Sequence, residues 1–179
     1  AGIHPPSIHL SNSAGLSAWE VPECTLVRPG IILYGGYPSA EFESRLDLRG
    51  VMTFSTRIAQ LRTLAAGQGV SYGHTYKTRR PTRLATLPVG YADGYNRLFS
   101  NSGEVLIRGA RAPVVGRVCM DWILVDVTDI TDVEVGDRTV LLGTDGEQRI
   151  SAEDWGEKLG TINYEVFCRI GPRVPRYFV

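Results

Sequence analysis

Short runs of apolar and β-branched residues, each ended by a turn signal, fill the chain from residue 51 onward. Runs of this kind at regular spacing are typical of the antiparallel strands of a sandwich or a barrel. The turn signals include 67–69, 101–103 and 145–146, where glycine and asparagine supply backbone angles that other residues resist. We therefore predict a mainly β, barrel-like domain over residues 47–179. Its predicted strands are 51–58, 82–88, 104–107, 112–118, 123–127 and 139–142.

A single helix is predicted within this β domain. Ser151, followed three residues later by Asp154, has the spacing of a capping box, in which two side chains satisfy free backbone amides at the start of a helix. Gly160 stands where a glycine commonly ends a helix. The predicted helix therefore lies between Ser151 and Gly160.

Residues 1–46 have a different pattern, in which two apolar segments flank a more polar stretch. The segments 8–10 and 30–34 suit strands, and 11–20 suits a short helix. One β-α-β unit cannot cover both faces of a parallel sheet, so we predict that residues 1–46 are the end of an α/β domain. The candidate caps of the short helix are Ser11, Asn12 and Ser13.

Charge and cysteine content exclude several classes of function. The 19 basic and 19 acidic residues balance and form no basic stripe, so neither nucleic acid nor a membrane is a predicted partner. No apolar run approaches the roughly 20 residues that span a bilayer. Cys24, Cys119 and Cys168 are odd in number and far apart, which argues against a disulfide framework or a metal site and favours the reducing cytoplasm.

A tyrosine between two glycines marks the first segment that can carry chemistry, residues 90–95 with the sequence Gly-Tyr-Ala-Asp-Gly-Tyr. The glycines allow a tight turn that presents Tyr91 from the end of a strand. A phenol has an ordinary pKa of about 10, so it can act as a base only where positive charge or hydrogen-bond donors stabilise the phenolate. The alternative, which local chemistry alone favours, is a hairpin turn with two packing tyrosines.

Two further segments can carry chemistry: residues 116–121, Gly-Arg-Val-Cys-Met-Asp, and residues 162–166, Ile-Asn-Tyr-Glu-Val. The first lies between two predicted strands, so its side chains are expected to alternate between the core and the edge of a pocket. In the second, the Tyr164 hydroxyl can donate to a phosphate while the ring stays packed. The open alternatives are a strand with Cys119 and Met120 as core fillers, and a half-buried strand with a solvated tyrosine tip.

These three segments together resemble the C-terminal domain of alanine racemase, in which Gly-Tyr-Ala-Asp-Gly is a family motif. The resemblance extends through 168–176, and back to 9–13 and 27–31, which look like the last two strand ends of the family's (β/α)8 barrel. It implies a remnant of that barrel in residues 1–46, followed by the family's mainly β domain. It also implies a homodimeric, cytoplasmic isomerase that interconverts L- and D-alanine by two-base proton transfer with pyridoxal 5'-phosphate, supplying D-alanine for the cell wall.

The resemblance implies roles for residues on the substrate side of the site. Tyr91 would be the base for the L-enantiomer, and Met120 would supply a backbone amide and an apolar wall near the substrate carboxylate. Arg117 would lie in the entry corridor, and Ile162 would narrow the entrance. The other substrate-lining residues that the resemblance implies are Cys119 and Asp121.

A cofactor-binding set is implied in the same way. Hydroxyl groups, and backbone amides next to a glycine, would hold the phosphate of the cofactor. Arg28 would face the pyridine nitrogen and keep it unprotonated, because arginine stays charged, and His9 would orient Arg28. The residues implied on the phosphate are Ser13, Gly30, Ile31 and Tyr164.

The chain departs from the family in its lysines. In the family a lysine anchors the cofactor and serves as the opposite base, and each active site combines the lysine of one subunit with the tyrosine of the other. Lys77 and Lys158 are the two lysines here, and both are predicted to be surface ion-pairing residues. We therefore predict a chain that carries the tyrosine half of the site without the cofactor lysine and is inactive alone. The alternative is a non-catalytic module of the same fold that binds a small amino acid, a phosphate or a partner protein.

Overall fold

The computed structural model describes residues 2 and 4–178. They form two compact units, Ala1–Met52 and Thr53–Val179. The domain boundary at residue 46 stays a sequence prediction. Within the described residues, no helix is long and apolar enough to cross a membrane. The same residues contain no group of three or more histidine, cysteine or carboxylate side chains that could hold a metal ion.

The first unit contains the predicted short helix, α1, Ser13–Ala18. Asn12, one of the three candidate caps, is the N-cap, and its side chain accepts a 2.9 Å hydrogen bond from the Gly15 amide. Two further single-turn 3₁₀ helices follow at Ile31–Tyr34 and Ala40–Phe42. Gly35 ends the first of these with a left-handed backbone, at a φ of 72°.

The two strands predicted in the first unit are wrong. Residues 8–10 have no regular secondary structure, and 30–34 is largely the 3₁₀ helix Ile31–Tyr34. A strand needs a neighbour that satisfies its amides and carbonyls along its length. Here only a few bonds join the segments, such as those from the Thr25 amide to the Ile8 carbonyl at 2.9 Å and from the Arg28 amide to the Ser11 carbonyl at 2.8 Å.

The second unit is mainly β, which confirms the predicted fold class. Its described residues form ten strands, all paired antiparallel. The predicted strand 104–107 agrees to the residue, while 60–64 was missed because its apolar residues are sparse. The strands are β1 Phe54–Arg57, β2 Gln60–Leu64, β3 Gly69–Val70, β4 Tyr76–Lys77, β5 Thr82–Leu87, β6 Glu104–Ile107, β7 Ala110–Pro113, β8 Ile123–Asp126, β9 Arg138–Asp145 and β10 Gln148–Ile150.

Three sheets build the second unit. The largest has the order β1-β9-β6-β7, with β10 also paired to β9; the second has the order β2-β5-β8; and β3 pairs with β4. An isolated bridge between Val114 and Val125 connects the end of β7 to β8. The inward residues of the central strands are fully buried, and Val105 and Val140 have no solvent exposure.

An aromatic cluster fills the core beneath the helices of this unit. The ring of Trp155 lies 5.3 Å from that of Tyr95 and 4.9 Å from that of Phe99, measured between centroids. Phe54 of β1 meets the same indole edge-on at 6.5 Å. Burial raises the pKa of the Tyr95 phenol above its usual range, and nearby Glu104 adds to the shift. Tyr95 is therefore a neutral core residue.

Two helices, not one, lie near the end of the chain. The predicted helix is α2, Ala152–Leu159, with the capping box of Ser151 and Asp154 and with Gly160 in the left-handed conformation at its end. A second helix, α3, spans Asn163–Arg169, where a strand was the open alternative. Helix α3 packs on α2, and Gly156 permits the close approach where the chain enters α3: a Cβ there would lie 3.0 Å from the Thr161 carbonyl oxygen and 3.3 Å from the Asn163 amide nitrogen.

The predicted strand 112–118 is also shorter than expected. Strand β7 ends at Pro113, and the chain from 115 to 122 is a loop. Gly116 has a φ of 79°, a left-handed backbone that breaks strand pairing, and its amide donates to Asn101 Oδ1 at 2.6 Å. The Gly-Arg-Val-Cys-Met-Asp segment is therefore presented on a loop, and strict alternation of its side chains does not hold.

Candidate active site

A close backbone contact holds the Tyr91 turn against the 116–121 loop. The Tyr91 amide donates to the Cys119 carbonyl oxygen at 3.0 Å, and the Ala92 amide donates to that of Met120 at 3.0 Å. A Cβ on Gly90 would lie 2.3 Å from both of these carbonyl oxygens, so only glycine permits the contact. The structure thus brings together Tyr91, Cys119 and Met120, three of the predicted site residues.

Arg173 ties the same two segments together through their carboxylates. Its Nε donates to Asp93 Oδ1 at 2.7 Å, and its Nη2 donates to Asp121 Oδ1 at 2.5 Å. The other oxygen of Asp93 accepts a hydrogen bond from the Gly90 amide at 2.8 Å. The hydrogen bonds to Asp93 and Asp121 raise the pKa of Arg173 above its usual range, so this cation is permanent. Asp121 therefore serves as an anchor for the loop.

A cavity of about 300 Å³ opens beside Tyr91 and is lined by Tyr91, Gly94, Asn96, Arg97 and Arg169. The Tyr91 side chain is 42% exposed. Two arginines on its walls make the cavity suitable for an anionic group. Arg169 is held by Glu165 at 2.6 Å, and hydrogen bonds from Thr161 and Arg169 keep the pKa of Glu165 below its usual range.

A second glycine-flanked tyrosine, Tyr72, escaped the sequence analysis. It lies in a tight turn between β3 and β4 and is 73% exposed. Three of the four residues of this turn have positive φ angles: 61° at Ser71, 68° at Gly73 and 46° at His74. Strained backbone of this kind clusters at functional sites. The available signal was the Ser-Tyr-Gly-His run, which pairs a tyrosine with a glycine as the Tyr91 segment does.

The Tyr72 turn is attached to the same 116–121 loop as Tyr91. Ser71 Oγ donates to the Arg117 carbonyl oxygen at 2.7 Å and lies 3.6 Å from Cys119 Sγ. The Arg117 side chain runs beside the turn, because its Nε would lie 3.6 Å from a Cβ on Gly73. One loop thus carries both tyrosine turns, and its Arg117 side chain lies beside Gly73 in the Tyr72 turn.

Helix α3 reaches this region at its C-terminal end. A Cβ on Gly94 would lie 2.6 Å from the Arg169 carbonyl oxygen. Tyr164 and Ile162 lie at the opposite end of the helix, and both are exposed. The Tyr164 ring is therefore not among the residues that line the cavity beside Tyr91.

Neither lysine lies at the candidate site. Lys77 is exposed on β4, and Lys158 on α2 lines a different cavity of about 460 Å³ that also contains Trp155. The ion pairs found among the described residues are formed by arginines. The predicted ion pairing of Lys77 and Lys158 is therefore not observed.

The predicted cofactor residues of the first unit form two contacts. Arg28 Nη1 lies 2.9 Å from His9 Nδ1 and donates to the His9 carbonyl oxygen at 2.9 Å. The Gly30 amide donates to Ser13 Oγ at 2.8 Å, while Ser13 and Ile31 are buried. The Ser13 oxygen accepts this bond, so its own hydrogen is available to donate elsewhere.

Comparison with known proteins decides the family. The model of the alanine racemase C-terminal domain matches residues 51–178, and that of the alanine racemase N-terminal domain matches residues 1–38. The chain belongs to the alanine racemase family. The mainly β fold preceded by a short piece of the family's barrel domain is thereby confirmed.

Curated relatives and solved structures agree with this assignment. The alanine racemase of Halothermothrix orenii is 53% identical over 98% of this chain and 46% of the relative, and that of Geobacter sulfurreducens is 47% identical over 99% and 47%. The structure of the Bacillus anthracis alanine racemase with bound L-Ala-P has a TM-score of 0.93 at 37% identity, over 99% of this chain and 46% of that one. The structure of the Bartonella henselae alanine racemase with covalently bound pyridoxal phosphate has a TM-score of 0.87 at 34% identity, over 97% of this chain and 47% of that one. The chain thus spans slightly less than half the length of these relatives.

Proposed function

We propose that this chain is the C-terminal portion of a pyridoxal phosphate-dependent alanine racemase that interconverts L- and D-alanine and acts as a homodimer. The observation that carries the proposal is the 116–121 loop, which holds two exposed tyrosine turns in a chain of this family. Proton transfer at the Cα of an amino acid needs a positioned base on each face of that carbon. A tyrosine from one of the two turns held by the 116–121 loop supplies one of these two bases.

The first unit fits the cofactor's phosphate and ring. Ser13 has a free hydroxyl hydrogen next to the Gly30–Ile31 backbone, a donor set that suits a phosphate, and Arg28 offers a permanent cation held by His9. We expect Tyr164 to contribute a further hydroxyl to the phosphate. When bound, pyridoxal phosphate acts as an electron sink that acidifies the Cα proton of the amino acid.

No lysine is found among the residues that are expected to contact the cofactor. Lys77 and Lys158 are both exposed and lie outside the loop system around Tyr91. A lysine amine must be desolvated or beside another cation to react as a nucleophile near neutral pH. We therefore propose that this chain alone is inactive, and that the lysine comes from the part of the protein that its relatives have and this chain does not span.

Tyr91 and Tyr72 are the two candidates for the base that acts on L-alanine. The resemblance names Tyr91, whereas exposure, backbone strain and a neighbouring cation favour Tyr72. The Arg117 side chain lies beside Gly73 in the Tyr72 turn, and a guanidinium close to a phenol would stabilise its phenolate. Tyr91 then forms a wall of the adjacent cavity with Arg97. We propose that Tyr72 takes the proton from Cα, and that Met120 supplies an apolar wall beside it.

The two tyrosines are distinguished by single substitutions in a full-length protein that contains this chain. Tyr72→Phe should lower exchange of the Cα proton of L-alanine with D₂O by about 10²–10⁴-fold, the usual contribution of a general base, while D-alanine still exchanges. The matched variant Tyr91→Phe should lower both exchange rates to a similar, smaller extent. Selective loss from L-alanine in Tyr91→Phe would return the role to Tyr91. Unchanged exchange in both variants would refute a tyrosine base on this loop system.

Inactivity of the isolated chain has its own test. After incubation with pyridoxal phosphate and borohydride, intact-mass spectrometry should find no stoichiometric adduct, and the same sample should not racemise alanine. A single adduct together with racemisation would place the cofactor lysine at Lys77 or Lys158 and contradict the proposal.

A further inference from the structure

Ser71 occupies a backbone conformation that nearly excludes residues other than glycine. Its φ of 61° and ψ of −173° lie in the region where a Cβ meets its own backbone. A glycine would adopt these angles without strain. The serine found at this position adds a hydroxyl that glycine does not have, at the cost of backbone strain.

The Ser71 hydroxyl joins the strained turn to the 116–121 loop. Oγ donates to the Arg117 carbonyl oxygen at 2.7 Å and lies 3.6 Å from Cys119 Sγ. The Ser71 carbonyl oxygen in turn accepts a hydrogen bond from the His74 amide at 3.3 Å. Ser71 thus closes the Tyr72 turn with its backbone and fastens the turn to the loop with its side chain.

Gly116 makes this fastening possible from the other side. A Cβ on Gly116 would lie 2.7 Å from Ser71 Cβ and 2.8 Å from the Val70 carbonyl oxygen. Gly116 has a φ of 79°, and its amide is fixed by Asn101 Oδ1. The backbone of the loop is therefore fixed where it passes Ser71. The hydrogen bond from the Ser71 hydroxyl holds the Tyr72 turn against this fixed backbone.

We propose that Ser71 is a positioning residue: its bond to the Arg117 carbonyl holds the strained turn in the one conformation that aims Tyr72 at the Cα proton. The proposal rests on the assignment of Tyr72 as the base. The Ser71 hydroxyl itself exchanges no proton with the substrate. Its effect is confined to the half-reaction in which Tyr72 takes part.

Two variants of Ser71 separate the bond from the backbone angles. Ser71→Ala removes the hydroxyl and leaves a residue that resists these angles, so the turn should relax. Ser71→Gly also removes the hydroxyl but tolerates the angles, so it folds even if the alanine variant does not. Because a displacement of about 1 Å can cost about 10²-fold in rate, we expect Ser71→Ala to lose about 10²-fold in Cα exchange from L-alanine, and Ser71→Gly about tenfold.

The comparison of Cα exchange from L-alanine with that from D-alanine in D₂O distinguishes positioning from structural support. A merely structural role would lower both rates alike. In full-length protein, both Ser71 variants should retain exchange from D-alanine and the absorbance of bound pyridoxal phosphate. The matched control is Ser100→Ala, which removes another hydroxyl bonded to the same loop, at the Val118 amide, from a residue with an ordinary φ of −56°. It should affect both enantiomers equally and by less than about threefold, as most surface substitutions have small effects.

The outcomes distinguish this inference from the base assignment. If Tyr72→Phe loses exchange from L-alanine selectively and the Ser71 variants do not, only the role of Ser71 is refuted. Equal losses from both enantiomers in Ser71→Gly would show a structural role and also refute it. If Tyr72→Phe itself retains exchange from L-alanine, the base assignment fails and the role of Ser71 fails with it.

Discussion

Replacing Gly90 by alanine should separate the two loops that carry Tyr91 and Met120. The backbone at Gly90 has a φ of −154°, an extended angle that alanine adopts freely, so the substitution introduces no backbone strain. The obstacle is steric. The added Cβ would lie 2.3 Å from the carbonyl oxygens of Cys119 and Met120, which are backbone atoms and cannot rotate away.

The cost follows from the contacts that must give way. Separating the loops breaks the bonds from the Tyr91 and Ala92 amides to the Cys119 and Met120 carbonyls. Each such bond contributes about 0.5–1.5 kcal/mol to stability, and overpacking adds about 1–3 kcal/mol. We therefore expect Gly90→Ala to lower the free energy of unfolding by roughly 2–6 kcal/mol. For a chain of 179 residues that is roughly 4–24 °C in Tm.

Thermal unfolding and urea denaturation of the chain provide the assay. Gly171→Ala is the matched control, because a Cβ there would lie 3.6 Å from the Ala92 carbonyl oxygen, an ordinary contact distance. It should change stability by less than about 0.5 kcal/mol. If Gly90→Ala were no less stable than Gly171→Ala, the close approach of the two loops would be wrong.

Two further stability predictions follow from single side chains. Thr139 Oγ1 is buried without a hydrogen-bond partner among the described residues, so Thr139→Val should raise the urea midpoint by the equivalent of about 1 kcal/mol; a lower midpoint would reveal a hidden partner. Asp137 accepts hydrogen bonds from Arg108 and from the Glu134 amide, which hold its pKa below the usual range. Its stabilising contribution is therefore complete above the unfolded pKa of about 4 and is lost as the pH falls through the lower folded value. Asp137→Asn should flatten the acid limb of a plot of stability against pH, and an unchanged limb would contradict this.

Features that local sequence determines were predictable. Strand β6 is a short run of consecutive apolar residues, Val105 to Ile107, between two turn signals, and Ser151, Asp154 and Gly160 fix the ends of α2 through short-range hydrogen bonds. Helix α3 was not predictable in this way, because its β-branched and aromatic residues suit a strand as well. It packs against α2, with its first residue close to Gly156, and no local pattern contains that contact.

The site was predictable only in part, for a related reason. The glycines around Tyr91 signal a tight turn, and the structure places that turn on the 116–121 loop. Tyr72 was overlooked because Ser71, its neighbour in the strained turn, is a residue type that rarely adopts positive φ. Its angles are stabilised by the Arg117 carbonyl, 46 residues further along the chain. Tertiary contact overrides local preference there.

The two tyrosine turns are fixed to the 116–121 loop through groups other than their phenol rings. Backbone amides attach the Tyr91 turn, and the Ser71 hydroxyl attaches the Tyr72 turn. The side chains of Tyr72, Tyr91 and Met120 therefore stay exposed while their backbones are held. A substitution at a residue that attaches a turn to the loop, such as Gly90 or Ser71, should alter the stability of the fold or the orientation of the phenol. Removal of a phenol hydroxyl should instead alter the rate of proton transfer, with little effect on stability. Separate measurement of unfolding and of Cα exchange would distinguish the two kinds of residue, because only a phenol that transfers the proton should lose exchange at unchanged stability.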